Sequence, residues 1–79
     1  MRQWHSGEGW HIDVRGSPPP QPLVAILKLV RSIRDDSIII VHHDRDPVML
    51  YPELAQVGWE AERIDSPQGE FRLLLRRLA

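Results

Sequence analysis

From Trp10 to Arg15 apolar and polar positions alternate, with Trp10, Ile12 and Val14 on one side and His11, Asp13 and Arg15 on the other. A period of two is that of a strand with one buried face. After a proline-rich break, Leu23, Ile26, Leu27, Val30 and Ile33 recur at intervals of three and four, which predicts a helix with one apolar stripe. Lys28 and Arg31 lie off that stripe, and Arg31 and Arg34 suit the negative pole of the helix dipole. Asp35-Asp36-Ser37 ends the periodicity. Ile38 to Val41 is an unbroken β-branched run and predicts a strand buried on both faces.

Leu50, Leu54 and Val57 predict the inner stripe of a second helix, with Asp46 as its cap, Pro47 at its first position and Gly58 at its end. Pro52 falls within it, and a proline in a helix interior removes a hydrogen bond at a cost of roughly 3 kcal/mol. Either the regular helix begins near Pro52 after an irregular first turn, or it is kinked there. Trp59 to Ile64 alternates weakly, and Ser66-Pro67-Gln68-Gly69 supplies turn residues. Phe71, Leu73 and Leu75 then alternate with Arg72, Leu74 and Arg76, so the two strands read as a hairpin.

The order is thus β-α-β-α-β-β. Strands joined by a helix are parallel with a right-handed crossover, which puts both helices on one sheet face. The fold class expected is α/β: an α+β two-layer sandwich with a four-stranded mixed sheet and two helices on one face. Residues 1–9 show no periodicity and read as a flexible N-terminal tail, leaving 10–79 as the domain. On the open face, two residues of the Ile38–Val41 run point away from the helices, joined by Leu74. That apolar patch is either a partner surface or is covered by tail residues such as Trp4.

Composition narrows the classes. A chain of 79 residues makes one small domain, and 42% hydrophobic with 27% charged residues is a globular balance, not that of a disordered chain. The net charge of −1 supplies no global field for nucleic acid. Arg72, Arg76 and Arg77 read as a solvated strand face, without the interleaved aromatics that RNA stacking needs. With no cysteine there are no disulfides, thiolate metal sites or thiol nucleophiles, which fits a reducing, cytoplasmic setting. The first residues lack the apolar core of a signal peptide, and no apolar segment is long enough to span a bilayer, so no membrane role is expected.

The chemistry gathers where the first two predicted strands end. Gly16 permits a turn that side chains forbid, Pro18, Pro19 and Pro20 hold the connection extended, and Pro22 suits a first helical turn. Asp13, Arg15 and Gly16 arrive at this edge from the first strand, and His42, His43, Asp44, Arg45 and Asp46 from the second. Open α/β sheets bind ligands at such an edge. Candidate ligand-binding residues are Asp13, Arg15, Gly16, His43, Arg45 and Asp46. A metal site would draw on His42, His43 and Asp44, a nitrogen and oxygen set suited to zinc or iron, although adjacent strand residues point to opposite faces. Arg15 or Arg45 at a helix start would capture an anion or phosphate. His43 with an Asp partner would serve acid–base catalysis. The plain alternative is that Asp46 caps a helix, Asp13 and Arg15 pair with each other or the loop, and the histidines decorate a strand end.

Taken with these residues, the chain resembles the TusA/SirA-like superfamily, in which a strand ending in Asp and Gly leads into a Cys-Pro-x-Pro loop opening the first helix. Asp13, Gly16, Pro20, Gln21 and Pro22 match, and Pro19 stands where that superfamily carries its sulfur-transferring cysteine. DVRGSPPPQP followed by HDRDPVMLYPEL is similar to a cysteine-free, uncharacterised branch, the domain of unknown function family 2249. The resemblance implies the β-α-β-α-β-β sandwich, with the last strand antiparallel to the others. It does not carry the sulfur relay over, because that chemistry needs a thiolate. Similar domains accompany hemerythrin-like iron-binding modules, which implies a hemerythrin-like or redox protein as partner.

The expectation is a non-catalytic binding or adaptor domain. The alternatives are a metal-responsive domain holding Zn or Fe, and an anion-binding domain.

Overall fold

The computed structural model describes residues 1–79. In chain order the elements are β1 (Arg2–Ser6), β2 (Gly9–Asp13), α1 (Gln21–Ser32), β3 (Ile39–His43), α2 (Leu50–Gln56), β4 (Trp59–Ile64) and β5 (Phe71–Arg77). The strands form one sheet in the order β1-β2-β3-β5-β4. β2 and β3 run parallel with α1 between them, and every other neighbouring pair is antiparallel. This is a mixed α+β fold with two helices.

Alternation along the strands sorts the side chains. Ile12, Ile39, Val41, Leu73 and Leu75 meet Ile26, Leu29 and Val30 of α1 and Leu50 and Leu54 of α2 in one buried cluster. Burying such side chains stabilises the fold by about 1.5–3 kcal/mol each, relative to exposure. Ile40 is buried too but lies outside that cluster, on the opposite face, as the period of two requires. Both helices therefore cover one face.

The sheet has five strands, not four. The expected tail forms β1, which pairs with β2 in a hairpin from Arg2↔Asp13 to Ser6↔Gly9. RQWHS has no apolar alternation because its one apolar side chain, Trp4, packs on histidine rings of other strands. That stabilisation is long-range and leaves no local period. Gly9 is required where β2 begins: its φ is +139°, and a β-carbon there would stand 2.6 Å from the Ile38 carbonyl oxygen.

The second strand of the parallel pair begins and ends later than its β-branched run, and both histidines lie within it. β3 is flanked by β2 and β5, so His42 pairs with Asp13 and Arg72, and His43 with Phe71. The histidines are buried rather than decorating a strand end.

Pro20 caps α1, and Pro22 sits in its first turn as expected. α2 differs at both ends. Met49 is its cap and no side chain bonds there, while a turn holds Val48 N–H to the Asp46 carbonyl and Leu50 N–H to the Pro47 carbonyl. Asp46 is therefore not the helix cap. Pro52 becomes the third helical residue, where an N–H would have no partner within the helix, so the irregular-first-turn alternative holds. Val57 is 37% exposed and leaves the stripe, and Gly58 ends the helix with φ +79°.

Candidate functional site

β2 and β3 are parallel and adjacent, so their C-terminal ends bring the two predicted clusters to one edge. Most of the charged groups there are committed to each other. Arg15 donates from Nε and Nη2 to both carboxylate oxygens of Asp13, at 2.9 and 2.7 Å, and its backbone N–H donates to Asp13 Oδ1. These bonds hold the Asp13 carboxyl down at about 2, against the opposing effect of burial. Arg15 also donates from Nη1 to Glu70 Oε1 at 3.1 Å. Gly16, at φ +80°, donates its N–H to Asp44 Oδ2, which lowers that carboxyl. Asp46 accepts the Tyr51 hydroxyl at 2.5 Å, and burial together with this bond pushes the phenol up to about 12. Asp13, Arg15 and Gly16 with Asp44 thus lace the proline loop to the strand ends.

His43 is different. It is only 3% exposed and points to the helix-covered face. The Asp44 backbone N–H, which can only donate, reaches His43 Nδ1 at 2.9 Å, and Asp44 Oδ1 lies 3.1 Å from the same nitrogen. The backbone N–H calls for a lone pair on Nδ1 and the carboxylate for a hydrogen, so the tautomer follows whichever contact is made; with the shorter one, from the backbone, Nε2 carries the hydrogen. No protein atom accepts from Nε2. Because no sealed side-chain polar atom goes without a partner, this nitrogen opens onto space. That space is a cleft of about 360 Å³ between the proline loop and the turn into α2. Pro19, Pro20 and Leu23 form one wall and Val48, Met49 and Leu50 the other. Arg45 stands at the rim, its side chain 59% exposed and only loosely tied to Asp44 at 3.5 Å.

His42 and His43 point to opposite faces, so His42, His43 and Asp44 do not converge on one ion. No three His, Asp or Glu side chains converge in a way that would hold a metal.

His42 belongs instead to a chain that the sequence reading missed. On the open face, His42 Nε2 lies 3.0 Å from His11 Nδ1, and His42 Nδ1 lies 3.1 Å from Glu70 Oε2. Arg72 Nε donates to the same Glu70 oxygen at 2.5 Å, and these partners hold the Glu70 carboxyl below its ordinary value despite burial. Trp4 stacks on both rings, 4.9 Å from His11 and 5.5 Å from His42. Of the expected apolar patch, Ile40 is buried and Ile38 and Leu74 are half-buried, while Trp4 stacks on the two histidines. A signal for this was present: Trp4-His5 and Trp10-His11 flank Ser6-Gly7-Glu8-Gly9, and in the hairpin each Trp faces a His across the ladder.

Residues 11–77 match the model of a family described as an uncharacterized conserved protein, DUF2249. No curated protein matches the chain.

Proposed function

The chain belongs to the DUF2249 family, and on that footing we propose that it is a small, non-catalytic binding domain whose ligand occupies the His43 cleft. The observation that carries this is His43 Nε2, the unpaired nitrogen of a residue 3% exposed, open to an otherwise largely apolar space and a donor when Nδ1 accepts from the Asp44 backbone. A hydrogen bond from this atom to a ligand acceptor adds about 0.5–1.5 kcal/mol net. Arg45 at the rim adds positive charge. The occupant is a compact apolar molecule with a carboxylate or carbonyl oxygen at one end, a type that clefts of this size hold.

Binding is favoured over acid–base chemistry because the neighbouring carboxylates are already engaged, Asp44 by Gly16 and Asp46 by Tyr51. Exposed Val48 and Met49 at the same rim support a protein partner as the source of such a group, and its being hemerythrin-like or redox rests on the family resemblance alone. The matching residues Asp13, Gly16, Pro20, Gln21 and Pro22 support a TusA/SirA-like scaffold. The absence of cysteine supports a cytoplasmic setting. The metal-responsive alternative loses its support with the opposed histidines.

The test is a ¹⁵N NMR titration with octanoate and with octanol. Shifts at His43, Val48, Met49 and Leu50, tighter for octanoate and lost in His43→Phe, are expected. Silence at these residues, or equal binding to His43→Phe, would sink the proposal.

A further inference from the structure

We infer that the open face of the sheet holds a proton-binding site in which His11 and His42 share one extra proton taken from solvent. The inference is independent of the cleft, which lies on the other face.

It follows from counting protons along the chain of contacts. Glu70 is an ionised acceptor, so His42 Nδ1 carries a hydrogen toward it. A neutral His42 then has a lone pair on Nε2, and the 3.0 Å contact with His11 Nδ1 is a hydrogen bond only if His11 supplies the proton. A neutral His11 is then left with a lone pair on Nε2. Ser6 Oγ lies 3.1 Å from that atom, nearer than its other acceptor, the Gly9 carbonyl at 3.4 Å, and with its hydrogen turned to Nε2 every nitrogen is satisfied. In this neutral state both rings are Nδ1–H tautomers.

The same His11 Nε2 lies 2.9 Å from Glu8 Oε1. A carboxylate has no hydrogen to give, so this contact is attractive only when Nε2 bears a proton. The site therefore holds a partner for each of two states: Ser6 serves the neutral pair, and Glu8 serves the pair with one added proton. A second added proton would set N–H against N–H across 3.0 Å, so the capacity is one proton for two imidazoles.

Charged groups border the pair on every side. Glu8 and Glu70 stand at the two ends, and the Asp13 carboxylate is lowered in part by His42. Arg15 and Arg72 both bond Glu70, on which their charge is largely spent. Arg2 lies over the outer side of Trp4, 4.8 Å from its ring. When the proton is bound, Glu8 ties the turn of the β1–β2 hairpin to the sheet, so the hold on this edge follows pH.

The experiment is a long-range ¹H–¹⁵N spectrum of the imidazoles of the full chain, taken from pH 8 to pH 5. At the alkaline end His11 and His42 are expected as Nδ1–H tautomers, the minority form of free histidine. Acidification adds one proton to the pair, with its signal divided between the two rings. Ser6→Ala removes the donor of the neutral state and moves the midpoint to higher pH. Glu8→Gln removes the acceptor of the charged state and moves it lower, each by a few tenths of a pH unit. Either ring as the Nε2–H tautomer at pH 8, uptake of two protons, or shifts of the same sign in the two variants would overturn the inference.

Discussion

On the helix-covered face, Ile12, Val41 and Leu73 are at most 1% exposed, within a cluster of fourteen buried apolar side chains. At the alternate positions of the same strands, the other face carries His11, Ile40, His42 and Arg72, with Trp4 stacked on the two histidines. The first face is held by packing, which is non-directional and loses free energy in proportion to the volume removed. The second is held by directional bonds under a single aromatic cover, so its integrity depends on each partner being in place. A sheet with only one helical layer thus has two kinds of core.

The largest effect expected is on the packed face. Leu54→Ala, at a position 1% exposed between α2 and the sheet, should lower stability by about 3 kcal/mol, read as a reduced urea midpoint with unchanged slope. Gly9→Ala tests the joint between the two regions. Its new β-carbon would meet the Ile38 carbonyl, a backbone atom that cannot turn aside, so a loss of about 2 kcal/mol is expected in the same measurement.

Trp4→Ala probes the open face. Loss of its stacking on two rings should cost about 1–2 kcal/mol. Amide exchange should accelerate along β1 and β2 far more than at Leu73 and Leu75. Uniform acceleration would show that the two faces melt as one.

A smaller effect follows acid. Asp13 and Glu70 both have folded-state values below their ordinary ones, so they favour the ionised fold. Their contribution is complete above the ordinary carboxylate range and is lost as pH falls through the folded values, toward about 2 for Asp13. Tm by circular dichroism should therefore drop over that window, and the drop should be shallower in Asp13→Asn. Least of all is expected from Arg76→Ala, which removes exposed ion pairs to Glu60 and Glu62 and should leave Tm unchanged.

The contrast between faces also explains which parts were legible. α1 was readable because its stripe is repeated over three turns and bounded by Pro22 and Asp35. The alternation of Ile12 and Val14, and of Leu73 and Leu75, revealed the packed face. The edge that gathers Asp13, Gly16, His43 and Asp46 followed from two parallel strands separated by a helix. The open face left no such trace. His11 looked like a solvated position because polar alternation implies exposure, and Glu70, between the turn residues ending at Gly69 and the strand beginning at Phe71, belonged to no pattern. Only pairing β2 with β3, and β3 with β5, brings them together beside His42.

Apolar spacing, proline and glycine positions, and the parallel crossover are local or nearly local properties, and by themselves they determined the α+β class, both helices, the hairpin and the position of the cleft edge. Tertiary structure alone decided the fifth strand, the opposite orientations of His42 and His43, and the assembly of Trp4, His11, His42 and Glu70. That assembly spans 66 positions of a chain of 79, from Trp4 to Glu70, through a stack of Trp4 on His42 and a His42–Glu70 hydrogen bond. Stacking and shared hydrogen bonds between such distant side chains impose no period on the sequence that encodes them.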